Sequence, residues 1–125
     1  ETTVASADAG YGKLWVSSTD SNLHFMGDDG VDHAIVLEGY TGFTSGPQTL
    51  DATHHLINCT TGTFTVNLPT AASIAGRQYI IKNSGTGAIT VDADGTETID
   101  AQLTWILAQY DSLTVESNGT NWILV

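Results

Sequence analysis

Phe64-Thr65-Val66-Asn67-Leu68, Gln78-Tyr79-Ile80-Ile81-Lys82-Asn83, Ala88-Ile89-Thr90-Val91-Asp92, Leu103-Thr104-Trp105-Ile106-Leu107, Ser112-Leu113-Thr114-Val115-Glu116 and Asn121-Trp122-Ile123-Leu124-Val125 decide how this chain folds. Phe64–Leu68, Ile89–Asp92 and Ser112–Glu116 alternate apolar with polar residues, so in an extended backbone one face is buried and the other wet. β-branched and aromatic side chains dominate them, and Ser84-Gly85, Asp94-Gly95 and Asn118-Gly119 punctuate them as turns. The pattern predicts an all-β fold, a short-stranded antiparallel β-sandwich or β-prism.

Working outward, Leu68-Pro69 ends a strand, because proline lacks the donor a ladder needs. Thr70-Ala71-Ala72-Ser73-Ile74-Ala75-Gly76 is the one helix-friendly run, long enough for a turn or two as a crossover, and a helical domain is excluded. Upstream, Gln48-Thr49-Leu50-Asp51-Ala52 and His54-His55-Leu56-Ile57-Asn58-Cys59 read as two more strands. The stretch from Glu38 to Pro47 is rich in glycine around Tyr40 and Phe43, and is expected to be irregular. It marks the predicted boundary between an N-terminal strap, residues 1–46, and the main β-module, residues 47–125. Within the strap, Lys13-Leu14-Trp15-Val16-Ser17 and Asn22-Leu23-His24-Phe25-Met26 form a predicted hairpin. Gly27-Asp28-Asp29-Gly30 is then a turn, and Val31 to Leu37 another strand. Leu14, Val16, Ser18 and Asn22 align with Leu113, Val115, Ser117 and Asn121 at one constant offset, a hairpin layout shared by the two ends of the chain.

The 125 residues suffice for one domain, or for two small modules. Three basic residues against fourteen acidic ones give a formal charge of −11, which repels phosphate backbones and argues against a nucleic-acid partner. Only 14% of residues are charged, so the surface must be built largely of hydroxyls and amides. No window approaches the roughly 18 apolar residues of a membrane span, so no membrane insertion is expected. No signal peptide is visible, and a chain that opens on Glu1 rather than Met reads as a fragment. Cys59 is the only cysteine; set among Leu56, Ile57 and Asn58, it reads as a small buried hydrophobe rather than a reactive thiol.

Candidate chemistry is sparse. His54 and His55 are adjacent, so in a strand they face opposite sides and cannot share one ion. No metal is expected within one chain; His54 or His55 repeated about a symmetry axis is the one exception entertained. Asp92-Ala93-Asp94-Gly95 opens like a calcium loop, but Gly95 falls fourth rather than sixth and Leu103 stands where a bidentate Glu is required. Gly85-Thr86-Gly87 reads as a hairpin turn rather than a phosphate loop, and no nucleophile elbow is present. No cofactor and no catalytic residue are predicted. Trp15, Trp105 and Trp122 lie inside strand patterns and read as core or subunit-interface residues. Tyr40 and Phe43, in the glycine-rich stretch, and the acidic turn at Asp28 and Asp29 are the predicted ligand contacts.

The order Leu68-Pro69, Ala71-Ala72 with Gly76, Tyr79-Ile80-Ile81-Lys82-Asn83-Ser84-Gly85-Thr86-Gly87, Ile89-Thr90-Val91-Asp92, Gly95-Thr96-Glu97-Thr98-Ile99-Asp100 and Ser112-Leu113-Thr114-Val115-Glu116-Ser117-Asn118-Gly119-Thr120-Asn121-Trp122 resembles a β-rich module of bacteriophage tail fibres and other virion fibres. The resemblance covers about half of the chain. It implies an intertwined homotrimer, located in the virion, that is structural or recognises a host. The expected partners are the chain itself, other virion proteins and a host-surface glycan or protein. Two rival readings are a capsid decoration or head-fibre protein without a receptor role, and a carbohydrate-binding module; a hydrolase ranks last.

Overall fold

The computed structural model describes residues 39–125 and 23–26, and the backbone of residues 13–16 and 32–35. Two compact units divide the chain, Glu1–Leu37 and Glu38–Val125. In the first, β1 (Lys13–Val16), β2 (Leu23–Met26) and β3 (Asp32–Ile35) form a three-stranded antiparallel sheet in chain order. The predicted hairpin is therefore present, with Lys13 opposite Met26 and Val16 opposite Leu23.

The second unit holds β4 (Tyr40–Phe43), β5 (Gln48–Thr49), β6 (Leu56–Cys59), β7 (Phe64–Asn67), β8 (Gln78–Asn83), β9 (Ile89–Asp92), β10 (Thr104–Leu107), β11 (Ser112–Ser117) and β12 (Trp122–Leu124). They make a five-stranded sheet, β12-β11-β8-β6-β4, and a four-stranded sheet, β10-β9-β7-β5. From β4 to β9 successive strands alternate between the sheets, and each pairs in parallel with the strand two places on. The chain thus winds as a three-turn coil with two β faces. β10 folds back antiparallel on β9; in the other sheet β11 pairs antiparallel with β8, and β12 antiparallel with β11.

The all-β expectation holds; the antiparallel one does not, because both sheets are mixed. Gly85-Thr86-Gly87 is correspondingly a corner of the coil between β8 and β9, which lie in different sheets, and not a hairpin turn. Tyr40–Phe43 is a strand despite its glycine, because β6 supplies a parallel partner along its whole length. That pairing draws it into the second unit, so the compact units divide at 37/38 rather than at 46/47. Thr70 to Gly76 forms turns without a helix, closed by Ile74 N–H to Ala71 O and Arg77 N–H to Ile74 O.

One core lies between the two faces. Ile57, Ile81 and Leu113 stand side by side across β6, β8 and β11, facing Val66, Val91, Ile89 and Leu107 of the other sheet, with Tyr79 and Trp122 filling one end. Trp122 is fully buried inside this single chain, so of the two roles expected for it the core role is the one found. Trp105 is half-buried and packs on the same core. The side chain of Trp15 lies outside the described residues.

Cys59 is free and fully buried, as its apolar neighbours predict. Burial pushes its thiol from 9.0 up to about 11. An unfolded chain ionises the thiol near its ordinary value and the fold does not, so stability is intact below about pH 9 and falls by roughly 1.4 kcal/mol per pH unit up to about 11, a loss of about 2–3 kcal/mol. Urea unfolding at pH 8 and pH 10.5 should show this slope in the wild type and its absence in Cys59→Ala; equal slopes would place the alkaline loss on the tyrosines.

Candidate functional site

Two features of the second unit stand out, an apolar row on the outer face of the larger sheet and a cleft at one corner of the coil. The row follows from register. Ile57, Ile81 and Val115 point inward, so the residues between them, Leu56, Ile80 and Thr114, point outward in line with Tyr40. Val125 continues the row, donating its amide to Thr114 O. Tyr40 is 64% exposed and Val125 61%, with Leu56 and Ile80 half-buried between them. Five strands at about 4.8 Å spacing make the row roughly 19 Å long. The next row, Gly42, Asn58, Lys82 and Ser112, is polar; Asn58 Nδ2 donates to the Tyr40 hydroxyl at 3.2 Å and thereby orients the ring.

The cleft, of about 280 Å³, is lined by Leu50, Asp51, Ala52, Pro69, Thr70, Ala72, Ile74, Arg77 and Tyr79. Three segments meet there: the exit of β5, the connection between β7 and β8, and the start of β8. Leu50 N–H donates to Asn67 O, and Tyr79 Oη donates to Asp51 O at 2.9 Å, tying the first segment to the others. Glu97 braces the connection by accepting from the Ala71 amide at 2.8 Å and from Thr70 Oγ1 at 2.7 Å.

Arg77 spans the back of the cleft. Its guanidinium lies 5.1 Å from the Tyr79 ring centroid and donates to Ala52 O and His54 O, while its buried Nε has no partner. The other orphaned donor among the described residues, Trp122 Nε1, does not line the cleft. A buried unpaired N–H is costly, and Arg77 Nε carries that cost inside the fold.

Asp51 supplies the opposite polarity. Its Oδ1 accepts from Thr53 Oγ1 at 2.6 Å and from the Thr53 amide at 2.8 Å, and lies 2.7 Å from His54 Nδ1. These bonds, the Thr53 hydroxyl foremost, hold its carboxyl below the usual carboxylate range, so Asp51 is an anion at neutral pH.

The predicted contacts separate. Tyr40 is exposed as expected. Phe43 is not: it points inward at the end of β4, half-buried on the core and 5.7 Å from the His54 ring. Asp28 and Asp29 lie outside the described residues. His54 and His55 are both half-buried, and His54 is already engaged by Asp51. No group of three or more His, Cys, Asp or Glu side chains that could hold a metal occurs among the described residues. The cleft was not anticipated. Its available signal was Arg77, one of three basic residues in a chain of net charge −11, placed just before a strand and two residues from Tyr79. No protein-family model and no curated protein sequence matches the chain.

Proposed function

We propose that the chain is a non-enzymatic module of a bacteriophage tail fibre or other virion fibre, assembling as a homotrimer and attaching the particle to a host surface. The observation that supports this most is the outward row Tyr40, Leu56, Ile80, Thr114 and Val125, which crosses the larger sheet with no charged residue and leaves Tyr40 and Val125 exposed at its ends. A chain of charge −11 can pack against its own copies only through surface that carries little charge, and this row carries none. Three copies arranged about an axis would each bury the row once.

Light-scattering chromatography tests the reading directly, with an expected mass of three times the 13.2 kDa chain. Ile80→Asp places a charge at the middle of the row and should return the species to a monomer of unchanged circular dichroism. A wild-type monomer, or a trimer indifferent to Ile80→Asp, would refute the assignment of the row. The cleft favours a second reading, a carbohydrate-binding module, which expects a monomer that still binds sugar.

A further inference from the structure

We infer that β10, the free edge of the smaller sheet, pairs antiparallel with β10 of a second copy about a two-fold axis at Trp105. This goes beyond the attachment reading, because the edge belongs to the other sheet from the outward row and is open whether the basic unit is one chain or three.

The open part of the edge is two residues wide. Ala93 N–H donates to Leu103 O, so in the β9–β10 ladder the alternate residues Leu103, Trp105 and Leu107 turn their main-chain groups towards β9. Thr104 and Ile106 turn theirs outward, where no partner meets them among the described residues. The positions on either side are closed. Gln102 N–H donates to Ile99 O and Gln102 O accepts from Ile99 N–H, while Ala108 N–H donates to Asp111 Oδ2 and Ala108 O accepts from Asp111 N–H.

Those closures fix the register. Two copies of the strand can pair about a two-fold axis with Thr104, Trp105 or Ile106 at the centre. A centre at Thr104 sets Ile106 opposite Gln102, and one at Ile106 sets Thr104 opposite Ala108, whose groups are already bonded. Only the Trp105 centre sets Thr104 opposite Ile106 twice over, with two N–H···O bonds exchanged at each pair.

The side chains match in that register. Trp105 meets Trp105 of the second copy as a non-hydrogen-bonded pair, the closest approach in an antiparallel sheet, at about 4.5 Å between Cα atoms. Leu103 is 58% exposed although alternation puts it on the core side, and it gains Leu107 of the second copy as a neighbour. On the outer face Ile106, 66% exposed, lies beside Thr104. A second copy is the occupant that the charge allows. Ala101 to Tyr110 carries no charged residue, so two chains of charge −11 can approach there, and the stretch lacks the lysines, prolines and inward charges that guard a free edge. One strand pair is far smaller than a standard interface, so a Kd of roughly 0.1–1 mM is expected and the edge stays open in dilute solution.

Sedimentation equilibrium of the whole chain between about 10 μM and about 1 mM is the test, and the weight-average mass should rise at least about 1.5-fold over its dilute value. Hydrogen exchange followed by NMR should slow at the Thr104 and Ile106 amides as the mass rises, with Trp105 and Leu107 protected throughout by β9. A tryptophan exciton couplet should grow in the circular dichroism over the same range. Ile106→Asp sets two carboxylates across the junction from an exposed position and should abolish all three changes. Thr104→Pro removes an N–H that β9 does not use; it should act alike without a charge, and it decides alone if Ile106→Asp does not fold.

A mass constant up to about 1 mM, a rise that survives these substitutions, or slowed exchange at Tyr40–Phe43 in place of Thr104 and Ile106 would each overturn the inference. The dilute mass judges the trimer and the growth above it judges this edge, so either can fail alone.

Discussion

Gly87→Ala should cost the protein about 3 kcal/mol or more, the largest loss expected from adding a single methyl group. A Cβ at Gly87 would lie 2.0 Å from Gly62 O, 2.4 Å from Gly62 C and 2.6 Å from Thr63 Oγ1. The first two are backbone atoms of the corner one turn earlier in the coil, so neither can rotate away. Gly85 makes the same approach, with Thr60 and Thr61 backbone atoms at 2.9 Å. Consecutive corners therefore stack main chain on main chain, and a side chain between them must prise β8 and β9 away from β6 and β7. At roughly 4–8 °C per kcal/mol for a unit of this size, the thermal midpoint should fall by at least 12 °C. Gly76→Ala is the control: its φ is +85° with nothing within 4 Å of the added carbon, so only left-handed strain, about 1–2 kcal/mol, applies. If the two variants melted together, corner stacking would not be limiting.

Asn83→Asp, a change of one atom, should destabilise by about 4 kcal/mol at pH 7. Asn83 is fully buried, and its Nδ2 donates to Gly87 O at 2.7 Å and Leu107 O at 3.0 Å while its Oδ1 accepts from the Gly85 amide at 3.0 Å. It is the polar clasp that holds the same corner to β10. A carboxylate there would set a negative oxygen against two carbonyls without water, and both effects favour the protonated form in the fold. Its folded pKa is thus raised above the unfolded value near 3.9, so the ionisation penalty is absent below that pH and grows by roughly 1.4 kcal/mol per unit as pH rises. Urea midpoints measured against wild type at pH 3.5 and pH 7 should differ accordingly; a pH-independent deficit would mean that lost donors, not charge, explain the change.

Both predictions concern a corner that the sequence displays plainly and disguises at once. Gly85-Thr86-Gly87 between Asn83 and Ile89 has the length and composition of a hairpin loop, and side-chain alternation has period two whether the neighbour runs parallel or antiparallel. Parallel strands in one sheet need long crossovers, but here a short corner suffices because the next strand enters the opposite sheet. Strand positions were accordingly legible from Phe64 to Leu124, while the direction of pairing was not. Tyr40–Phe43 escaped for a different reason: its register with Leu56–Cys59 outweighs the weak strand preference of Gly42. Of the candidate site, exposed Tyr40 was legible. The cleft was not, because Leu50, Ala72 and Arg77 approach one another only through the winding of the coil, and no short motif joins them.

The winding has a mechanical side. Hydrogen bonds between β4, β6 and β8, and between β5, β7 and β9, run along the coil axis, one layer to the next. A pull along that axis strains the bonds of one layer at a time and peels the coil open at modest force. A pull along the strands loads every bond of a layer together in shear, the direction in which a β structure resists most. Antiparallel β11 and β12 extend the larger sheet beyond β8, so peeling from that end must first strip two strands that share Trp122, Val115 and Leu124 with the core. A load on this module would be borne most firmly where it crosses the coil rather than follows it.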